Sequence, residues 1–380
     1  MLSKLERLKI RLMVEGVVVT SAAREVLSGR GSDQPLTLAD YATTSGIVLR
    51  LEGDIWANAP IADYNPNFVA SPSLTLDFLE GRFFIGSEDG RVEADPRPLP
   101  SYHNETDREG VAYTIYCATH ADRVRISPVE GCAFSCRFCD SSFKRTYRAI
   151  SIDTLLSTLS RAVKDSSLPP RHILISGGTP RREDFGFLRE VYESVATTFL
   201  NHPLDIMMVP CPGLLQPKEL AHIGINELSS NIELWGEDAA KQFAPQKAGI
   251  PRRDWLGFFQ GAVDALGPWK VRSILLVGLE PLDTTLKGVA TLSAMGVEPV
   301  LSPFRPDPTT PMADILPPNI EFLVQAFEKA REVASKYGAK LGPKCIPCQH
   351  NTLSFHDGSE YYHQYGSESQ GNLRQKQGRI

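Results

Sequence analysis

Three cysteines crowd into one short loop, in the run GCAFSCRFCD: Cys132, Cys136 and Cys139. Thiolates so close together are poor disulfide partners, whereas cysteine thiolates are the ligands that hold iron–sulfur clusters. The loop offers three ligands, one fewer than a four-iron cube needs. One iron is therefore predicted to keep an open position, and an open position on a metal is where a substrate or cofactor binds.

The spacing C-x3-C-x2-C, with the aromatic Phe138 just before the last cysteine, resembles the signature of the radical S-adenosylmethionine (SAM) enzymes. The resemblance implies a 4Fe–4S cluster whose open iron binds the amino and carboxylate groups of SAM. It further implies reductive cleavage of SAM to methionine and a 5′-deoxyadenosyl radical, which abstracts hydrogen from a substrate. The alternative is a zinc knuckle, but zinc sites usually combine four Cys or His ligands.

Composition narrows the class of protein. A chain of 380 residues suits a barrel of about 200–250 residues with an appended domain. The net charge is −5 with no long basic run, which argues against a nucleic-acid partner. Neither a signal peptide nor a membrane-spanning apolar stretch is present in the sequence. Seven cysteines, an odd number, indicate metal ligation in a reducing cytoplasm rather than disulfides.

Strand-like runs alternate with helical patterns from about residue 120 onward, which is typical of βα units around a parallel sheet. The predicted strands are 123–129, 172–176, 204–209, 227–234, 271–278 and 297–303. Six units match the open (β/α)6 barrel of the radical SAM family. We expect an α/β protein with a partial, TIM-like barrel at 121–340. A β-rich N-terminal accessory domain at 1–120 precedes it, and a C-terminal Cys-x2-Cys extension at 341–357 follows it. A polar, flexible tail at 358–380 completes the chain.

In βα barrels the chemistry lies at the carboxyl ends of the strands. The second strand ends in SGGTP, and its Gly177, Gly178 and Thr179 resemble the family's motif for the amino group of SAM. On the fourth strand Asn231 and Glu233 are two residues apart and therefore point to the same face. Glu233 resembles the family's carboxylate for the ribose hydroxyls; the alternative is a surface residue on a strand assigned wrongly.

The last two strands carry weaker signals. Gly278 resembles the small residue that lies beneath the adenine of SAM, and Glu280 is expected to cap the following turn. Phe304 and its neighbours could provide apolar or backbone contacts to the purine.

Cys345 and Cys348 form a C-x2-C pair beyond the last barrel helix. Such a pair is half of a metal site and needs two more ligands, for which Cys117, Cys211 and His350 are the candidates. An auxiliary iron–sulfur cluster is one expectation, and a thiol-bearing turn that closes the barrel is the other.

Basic residues gather beside the predicted strand ends: Lys144, Arg145, Arg148, Arg181, Arg182 and Arg305. Arginine grips carboxylates and phosphates with two hydrogen bonds, so the pattern favours an anionic substrate. Arg145, Arg182 and Arg305 are the catalytic candidates, together with Cys211, which could face the substrate. Local charge pairing with Glu183 and Asp184 is the alternative.

The residues and the resemblance together predict a radical SAM enzyme that acts on a small, anionic metabolite in a biosynthetic pathway. A reductase system such as flavodoxin or ferredoxin is the expected protein partner. One alternative is a radical SAM enzyme that modifies a peptide or RNA, although the acidic balance disfavours RNA. The other is a non-catalytic iron–sulfur protein with a fully ligated cluster.

Overall fold

A computed structural model describes residues 2–29, 36, 46–61, 63 and 72–365. Within these residues the chain forms a six-stranded sheet, a seven-stranded sheet and a two-stranded ribbon. The six-stranded sheet belongs to the N-terminal part, and the seven-stranded sheet carries the cysteine loop.

The N-terminal part begins with helix α1 (Lys4–Glu15), capped by Ser3, and continues with helix α2 (Ser21–Ser28). Its strands are β1 (Val18–Val19), β2 (Ile47–Leu51), β3 (Ile55–Ala59), β4 (Thr75–Leu79), β5 (Arg82–Ser87) and β6 (Gly90–Pro96). They lie in the order β1-β4-β5-β6-β2-β3. Helix α1 has two apolar sides. Leu8 and Leu12 pack in the core of this sheet, whereas Ile10 and Met13 pack in the core of the larger sheet.

The larger sheet begins with β7 (Cys117–His120) and β8 (Arg123–Ile126). The short ribbon β9 (Val129–Glu130) and β10 (Arg148–Ala149) follows, and the remaining strands are β11 (His172–Ile175), β12 (Leu204–Met207), β13 (Glu227–Ser229), β14 (Val271–Val277) and β15 (Glu298–Pro303). The helices between and after them are α3 (Ile152–Ala162), α4 (Phe185–Thr198), α5 (Pro217–Ile223), α6 (Glu237–Phe243), α7 (Pro245–Ala248), α8 (Arg252–Leu266), α9 (Leu282–Ala294) and α10 (Ile320–Ser335).

Strands β8, β11, β12, β13, β14 and β15 are neighbours in this order and all parallel. Right-handed crossovers between strands taken in sequence put the helices on one face of such a sheet. The sheet curls into a partial barrel, which confirms the predicted fold class. Strand β7 was expected in the N-terminal domain, but it pairs with β8 in antiparallel fashion and extends the barrel sheet.

Two predicted strands end early, and both differences shape the site. The first ends at Ile126, because Val129 and Glu130 leave the sheet to pair with β10 and close the base of the cysteine loop. The fourth ends at Ser229, because the Asn231 side chain accepts the Ile274 backbone N–H at 3.2 Å in place of a main-chain carbonyl. Backbone pairing with β14 resumes only at Glu233.

The C-terminal segment packs against the start of the barrel strands. A short 3-10 helix (Pro347–Asn351) lies next to β3. The structure differs from the expected boundary of the flexible tail at residue 358, because aromatic side chains anchor the chain beyond it. Tyr361 donates a hydrogen bond to Glu298 at 2.7 Å, and Tyr365 stacks on His172 at 4.4 Å between ring centroids. Residues 366–380 of that predicted tail lie outside the described residues.

A search of the described part of the chain finds no helix with the length and hydropathy needed to cross a bilayer.

Candidate cluster and cofactor site

The cysteine loop leaves the barrel at the carboxyl end of β8, where the glycine loop after β11 meets it. The Cys132 sulfur accepts backbone N–H bonds from Phe134 at 3.3 Å and Thr179 at 3.0 Å. The Ala133 N–H donates to the Thr179 carbonyl at 2.9 Å. Amide donors aimed at a sulfur stabilise its thiolate form, which is the form that binds metals.

The α6–α7 segment holds the other side of the cysteine loop. The Arg137 N–H donates to the Phe243 carbonyl at 2.8 Å. The Gln246 amide bonds twice to Ser135, accepting its backbone N–H at 3.2 Å and donating to its hydroxyl at 2.8 Å. The loop is therefore fixed from two elements that lie far from it in the sequence.

Burial makes two of the loop thiols hard to ionise on their own. It raises the pKa of Cys136 to about 12, although the Lys247 ammonium lowers it. Burial likewise raises the pKa of Cys139. Metal ions displace such protons because the bound ligand is the thiolate.

The three loop sulfurs are spread too widely to share one ion. Among the described residues, the only group of three or more side chains whose metal-ligating atoms all lie within 4.8 Å of one another is Asp122, His172, Cys345 and Cys348. Three cysteines at wider spacing are the donor set of an iron–sulfur cluster rather than of a single zinc ion. The residues present therefore fit the expected cluster.

Gly177 and Gly178 are required by the contact between the glycine loop and the cysteine loop. A Cβ at Gly178 would lie 1.7 Å from the Gly131 carbonyl oxygen. Gly177 has a φ of +156° and its backbone lies against Val129. Both glycines and Thr179 line a cavity beside the cysteines.

Glu233 and Asn231 line the same cavity, although both lie beyond the end of the strand. Glu233 has a φ of +68°, a conformation that is rare for residues other than glycine and that often marks a functional position. Its carboxylate forms an ion pair with Lys247 at 3.0 Å, and Lys247 also donates to the Asn231 carbonyl at 2.7 Å. Lys247 escaped the sequence analysis because α7 carries no motif; only a contact with the fourth strand could have pointed to it.

Cys211 and Phe138 also line the cavity, and burial raises the pKa of Cys211 to about 11. Glu280 does more than cap its own turn. Its carboxylate accepts the backbone N–H groups of Trp235 at 3.1 Å and Gly236 at 2.6 Å, which follow Glu233 in the chain.

Five predicted site residues are not among the residues that line this cavity: Arg145, Arg182, Gly278, Phe304 and Arg305. The absence of a side chain at Gly278 is explained by Pro318, whose Cγ would lie 2.6 Å from a Cβ there. Phe304 is buried, with 2% of its surface exposed. Arg145 donates to the Ile115 carbonyl at 2.6 Å, and Arg305 donates to the Asn351 side chain at 3.0 Å.

Cys345 and Cys348 lie near Asp122 and His172 at the opposite end of the sheet. The partners proposed from the sequence lie elsewhere. Cys117 contacts the Tyr102 hydroxyl, Cys211 lines the cofactor cavity, and His350 bonds through Nδ1 to the Pro347 carbonyl.

No family model matches the chain. The bacteriochlorophyllide c C-7(1)-hydroxylase of Chlorobaculum limnaeum is 34% identical to it over 116 residues, which is 30% of this chain and 29% of the relative's length. A radical SAM methyltransferase from Sphaerobacter thermophilus is 15% identical, with 73% of this chain and 78% of that chain covered and a TM-score of 0.48. SuiB of Streptococcus suis bound to S-adenosylmethionine is 13% identical, with 61% and 53% covered and a TM-score of 0.45.

The deciding observation is local: the C-x3-C-x2-C loop leaves the first parallel strand of a partial barrel and meets a Gly-Gly loop from the second. In this arrangement the chain resembles the radical SAM enzymes. The cysteine loop, the glycine loop and Glu233 follow the first, second and fourth parallel strands, in the order that the radical SAM resemblance implies.

A second group of residues faces the inside of the barrel sheet, and two of its three members were missed from the sequence. Val124 and Ile126 of β8 enter the core with the helices, so the alternation of a strand turns Arg123 and Arg125 to the inner face. Their Nε atoms, and Nη1 of Arg305, are buried without a hydrogen-bond partner among the described residues. We call Arg123, Arg125 and Arg305 the lumen arginines.

Arg123 lies close enough to act on Arg125, and Arg123 and Arg305 both act on His350. Burial lowers the pKa of Arg125, and the charges of Arg145 and Arg123 lower it further. Burial lowers the pKa of Arg305 to about 10. Burial also lowers the pKa of His350 to about 4, with Arg123 and Arg305 among the cations that add to the effect. The run RVRI, with arginine at alternate positions of a barrel strand, was the available signal for this group.

Proposed function

We propose that the chain is a radical SAM enzyme that reductively cleaves SAM and abstracts hydrogen from a small anionic metabolite in a biosynthetic pathway. The observation that carries the proposal is the position of Cys132, Cys136 and Cys139 at a strand end, beside a cavity lined by the glycine loop and Glu233. When bound, a reduced 4Fe–4S cluster with SAM supplies a 5′-deoxyadenosyl radical.

The residues of the chain would hold and orient these groups. The three cysteines would hold the cluster through their thiolates. Backbone groups of Gly177 and Gly178 would receive the amino group of SAM, since the absence of side chains lets the ligand approach closely. The Glu233 carboxylate would accept hydrogen bonds from the ribose hydroxyls while Lys247 holds it in place.

The lumen arginines support the anionic substrate. Arg125 pairs in the sheet with Leu174, and the next residue of that strand, Ile175, lines the cavity. A buried N–H group without an acceptor is costly, and an arriving anion would supply one. A carboxylate or phosphate bound there would present the rest of the metabolite toward SAM.

We further propose that a flavodoxin or ferredoxin supplies the electron and that a reducing cytoplasm keeps the thiols free. All seven cysteines are free in the structure.

The test is SAM cleavage by anaerobically reconstituted, dithionite-reduced protein, with 5′-deoxyadenosine measured by chromatography. Wild type should form 5′-deoxyadenosine. Cys136→Ala should not, because it loses a cluster ligand. Cys117→Ala is the matched control, since this buried cysteine lies outside the cavity, and it should retain the reaction.

Failure of cleavage would be followed by electron paramagnetic resonance of the reduced cluster. A spectrum that does not change on addition of SAM would overturn the enzyme proposal and favour a non-catalytic iron–sulfur protein. Cleavage stimulated by a peptide or RNA, and not by small anions, would retain the reaction and overturn the substrate class.

A further inference from the structure

Four buried side chains with metal-ligating atoms converge at the end of the barrel opposite the cysteine loop. Asp122 directly precedes β8 and His172 is the first residue of β11. Cys345 and Cys348 come from the C-terminal segment. All four have at most 6% of their surface exposed.

The spacing of the ligating atoms matches the edges of a tetrahedron. The Cys345 sulfur lies 3.3 Å from the Asp122 carboxylate and 3.7 Å from His172 Nε2. The Cys348 sulfur lies 3.7 Å and 3.4 Å from the same two groups, which are themselves 3.6 Å apart. Metal–ligand bonds of about 2.0–2.3 Å give tetrahedral edges of about 3.3–3.8 Å.

The imidazole of His172 is already oriented for a metal. Its Nδ1 bonds to the Asp205 carboxylate at 3.0 Å, and Asp205 is fully buried. With the Nδ1 proton directed at Asp205, the Nε2 lone pair faces the two sulfurs. A carboxylate behind a ligating histidine is the common outer support of zinc sites, where it fixes the ring and its tautomer. The Tyr365 ring covers the other side of the imidazole.

The donor set favours one ion over an auxiliary cluster. Two thiolates, one imidazole and one carboxylate complete a four-coordinate zinc shell, whereas iron–sulfur clusters are typically held by cysteine thiolates on more widely spaced positions. A four-iron cube is too large for the space enclosed by these four atoms. Arg171, whose Nε lies 3.9 Å from Asp122, offsets part of the negative charge of the ligands.

We propose that Asp122, His172, Cys345 and Cys348 bind one structural Zn²⁺ ion. Binding displaces the two thiol protons to solvent and leaves no open coordination position. The ion joins the C-terminal segment to the first two parallel strands and so closes the barrel end remote from SAM. The proposal is independent of the radical chemistry.

The first test measures zinc and iron per chain by mass spectrometry, in protein purified from zinc-supplemented cells without cluster reconstitution. Wild type should contain about one zinc, as a four-ligand site binds one ion. The Cys132→Ala/Cys136→Ala/Cys139→Ala variant should keep that zinc, and Cys345→Ser/Cys348→Ser should lose it.

Absence of zinc from folded wild type that also fails to bind added Zn²⁺ would overturn the proposal. Iron at cluster stoichiometry in the triple variant, lost on further substitution of Cys345 and Cys348, would overturn it in favour of an auxiliary cluster.

A second test avoids variants that do not fold. Asp205→Asn keeps all four ligands but weakens the support of His172, and outer-shell changes typically lower metal affinity about 10–100-fold. A chelator competition should show this loss. Glu227→Gln is the matched control, because this buried carboxylate belongs to the same layer but pairs with Arg272 instead of His172. Equal loss in both variants would overturn the assigned role of Asp205.

Cobalt substitution reports the geometry directly. Wild-type protein loaded with Co²⁺ should show the intense d–d bands of a tetrahedral site and sulfur-to-cobalt charge transfer. Cys348→Ser should reduce the charge-transfer band. The weak spectrum of octahedral cobalt in wild type would overturn the site.

Discussion

At the scale of single residues, the lumen arginines are the most unusual feature of the barrel. A buried N–H group that lacks a hydrogen-bond partner destabilises the folded protein unless a ligand supplies an acceptor. The unpaired Nε atoms of Arg123 and Arg125 therefore indicate that these residues lower the stability of the unliganded protein and are retained to bind an anion. The direction of this effect can be measured as a change in Tm.

Arg125→Met should raise the Tm in anion-free buffer, because methionine fills much of the space without the buried charge. Citrate, a small polycarboxylate, should raise the Tm of wild type but not of Arg125→Met. At about 100 times its Kd, a ligand adds about 2.7 kcal/mol to stability. Differential scanning fluorimetry measures both effects.

The surface variant Arg253→Met is the control, since this side chain is 87% exposed; it should leave the citrate response intact. A wild-type Tm that neither citrate nor pyrophosphate raises, together with a destabilised Arg125→Met, would contradict an anion site.

The site residues that could be predicted from the sequence are those that near neighbours in the sequence identify. Cys132, Cys136 and Cys139 are recognised by their spacing, and Gly178 is recognised by its position after a strand. Lys247 could not be found, because its role depends on a contact with Glu233 that only the folded chain makes. Gly278 was predicted as a site residue but does not line the cavity, and Pro318 occupies the space where its side chain would lie.

At the scale of elements, the α6–α7 segment acts as a clamp on the cysteine loop. Gln246→Ala removes both hydrogen bonds to Ser135. A net loss of about 1 kcal/mol should speed iron release to a chelator about fivefold, with little change in Tm because the contact is exposed. Absorbance of the reconstituted cluster follows the release.

Gln242→Ala in α6 is the matched control, since Gln242 is exposed and should release iron at the wild-type rate. Equal rates for Gln246→Ala and wild type would show that the clamp does not retain the cluster.

Strand and helix identities in the barrel were predictable because hydrophobic runs and amphipathic helices alternate there. The ends of the strands were not predictable. The fourth strand ends early because the Asn231 side chain accepts a backbone N–H of the neighbouring strand, and strand propensity does not predict such a contact. The packed residues 359–365 were also missed, because a polar stretch with three tyrosines is anchored by partners distant in sequence.

At the scale of the whole molecule, α1 ties the N-terminal part to the C-terminal segment. The Lys9 ammonium group is buried, with 1% of the residue exposed, and donates to the carbonyls of Gln349 at 2.9 Å and Ser354 at 2.7 Å. Burial lowers the pKa of Lys9 to about 7. A neutral amine retains two N–H donors, enough for both carbonyls.

Lys9→Met should destabilise the protein, because two buried carbonyls lose their donor at about 1–3 kcal/mol each, and the loss should depend on pH. Between pH 7 and 10.5 the unfolded chain holds a proton on Lys9 that the folded chain has released. Wild-type stability therefore rises with pH in that window relative to Lys9→Met, by at most about 1.4 kcal/mol per pH unit. Below pH 7 both states hold the proton, so the gap between the two proteins should be smallest and constant there. Urea unfolding at pH 6, 7.5 and 9 measures the gap, and the titrations of all other groups cancel in the comparison. A gap that stays equal at the three pH values would mean that Lys9 keeps its proton when buried, and that the two carbonyls stabilise an ammonium ion.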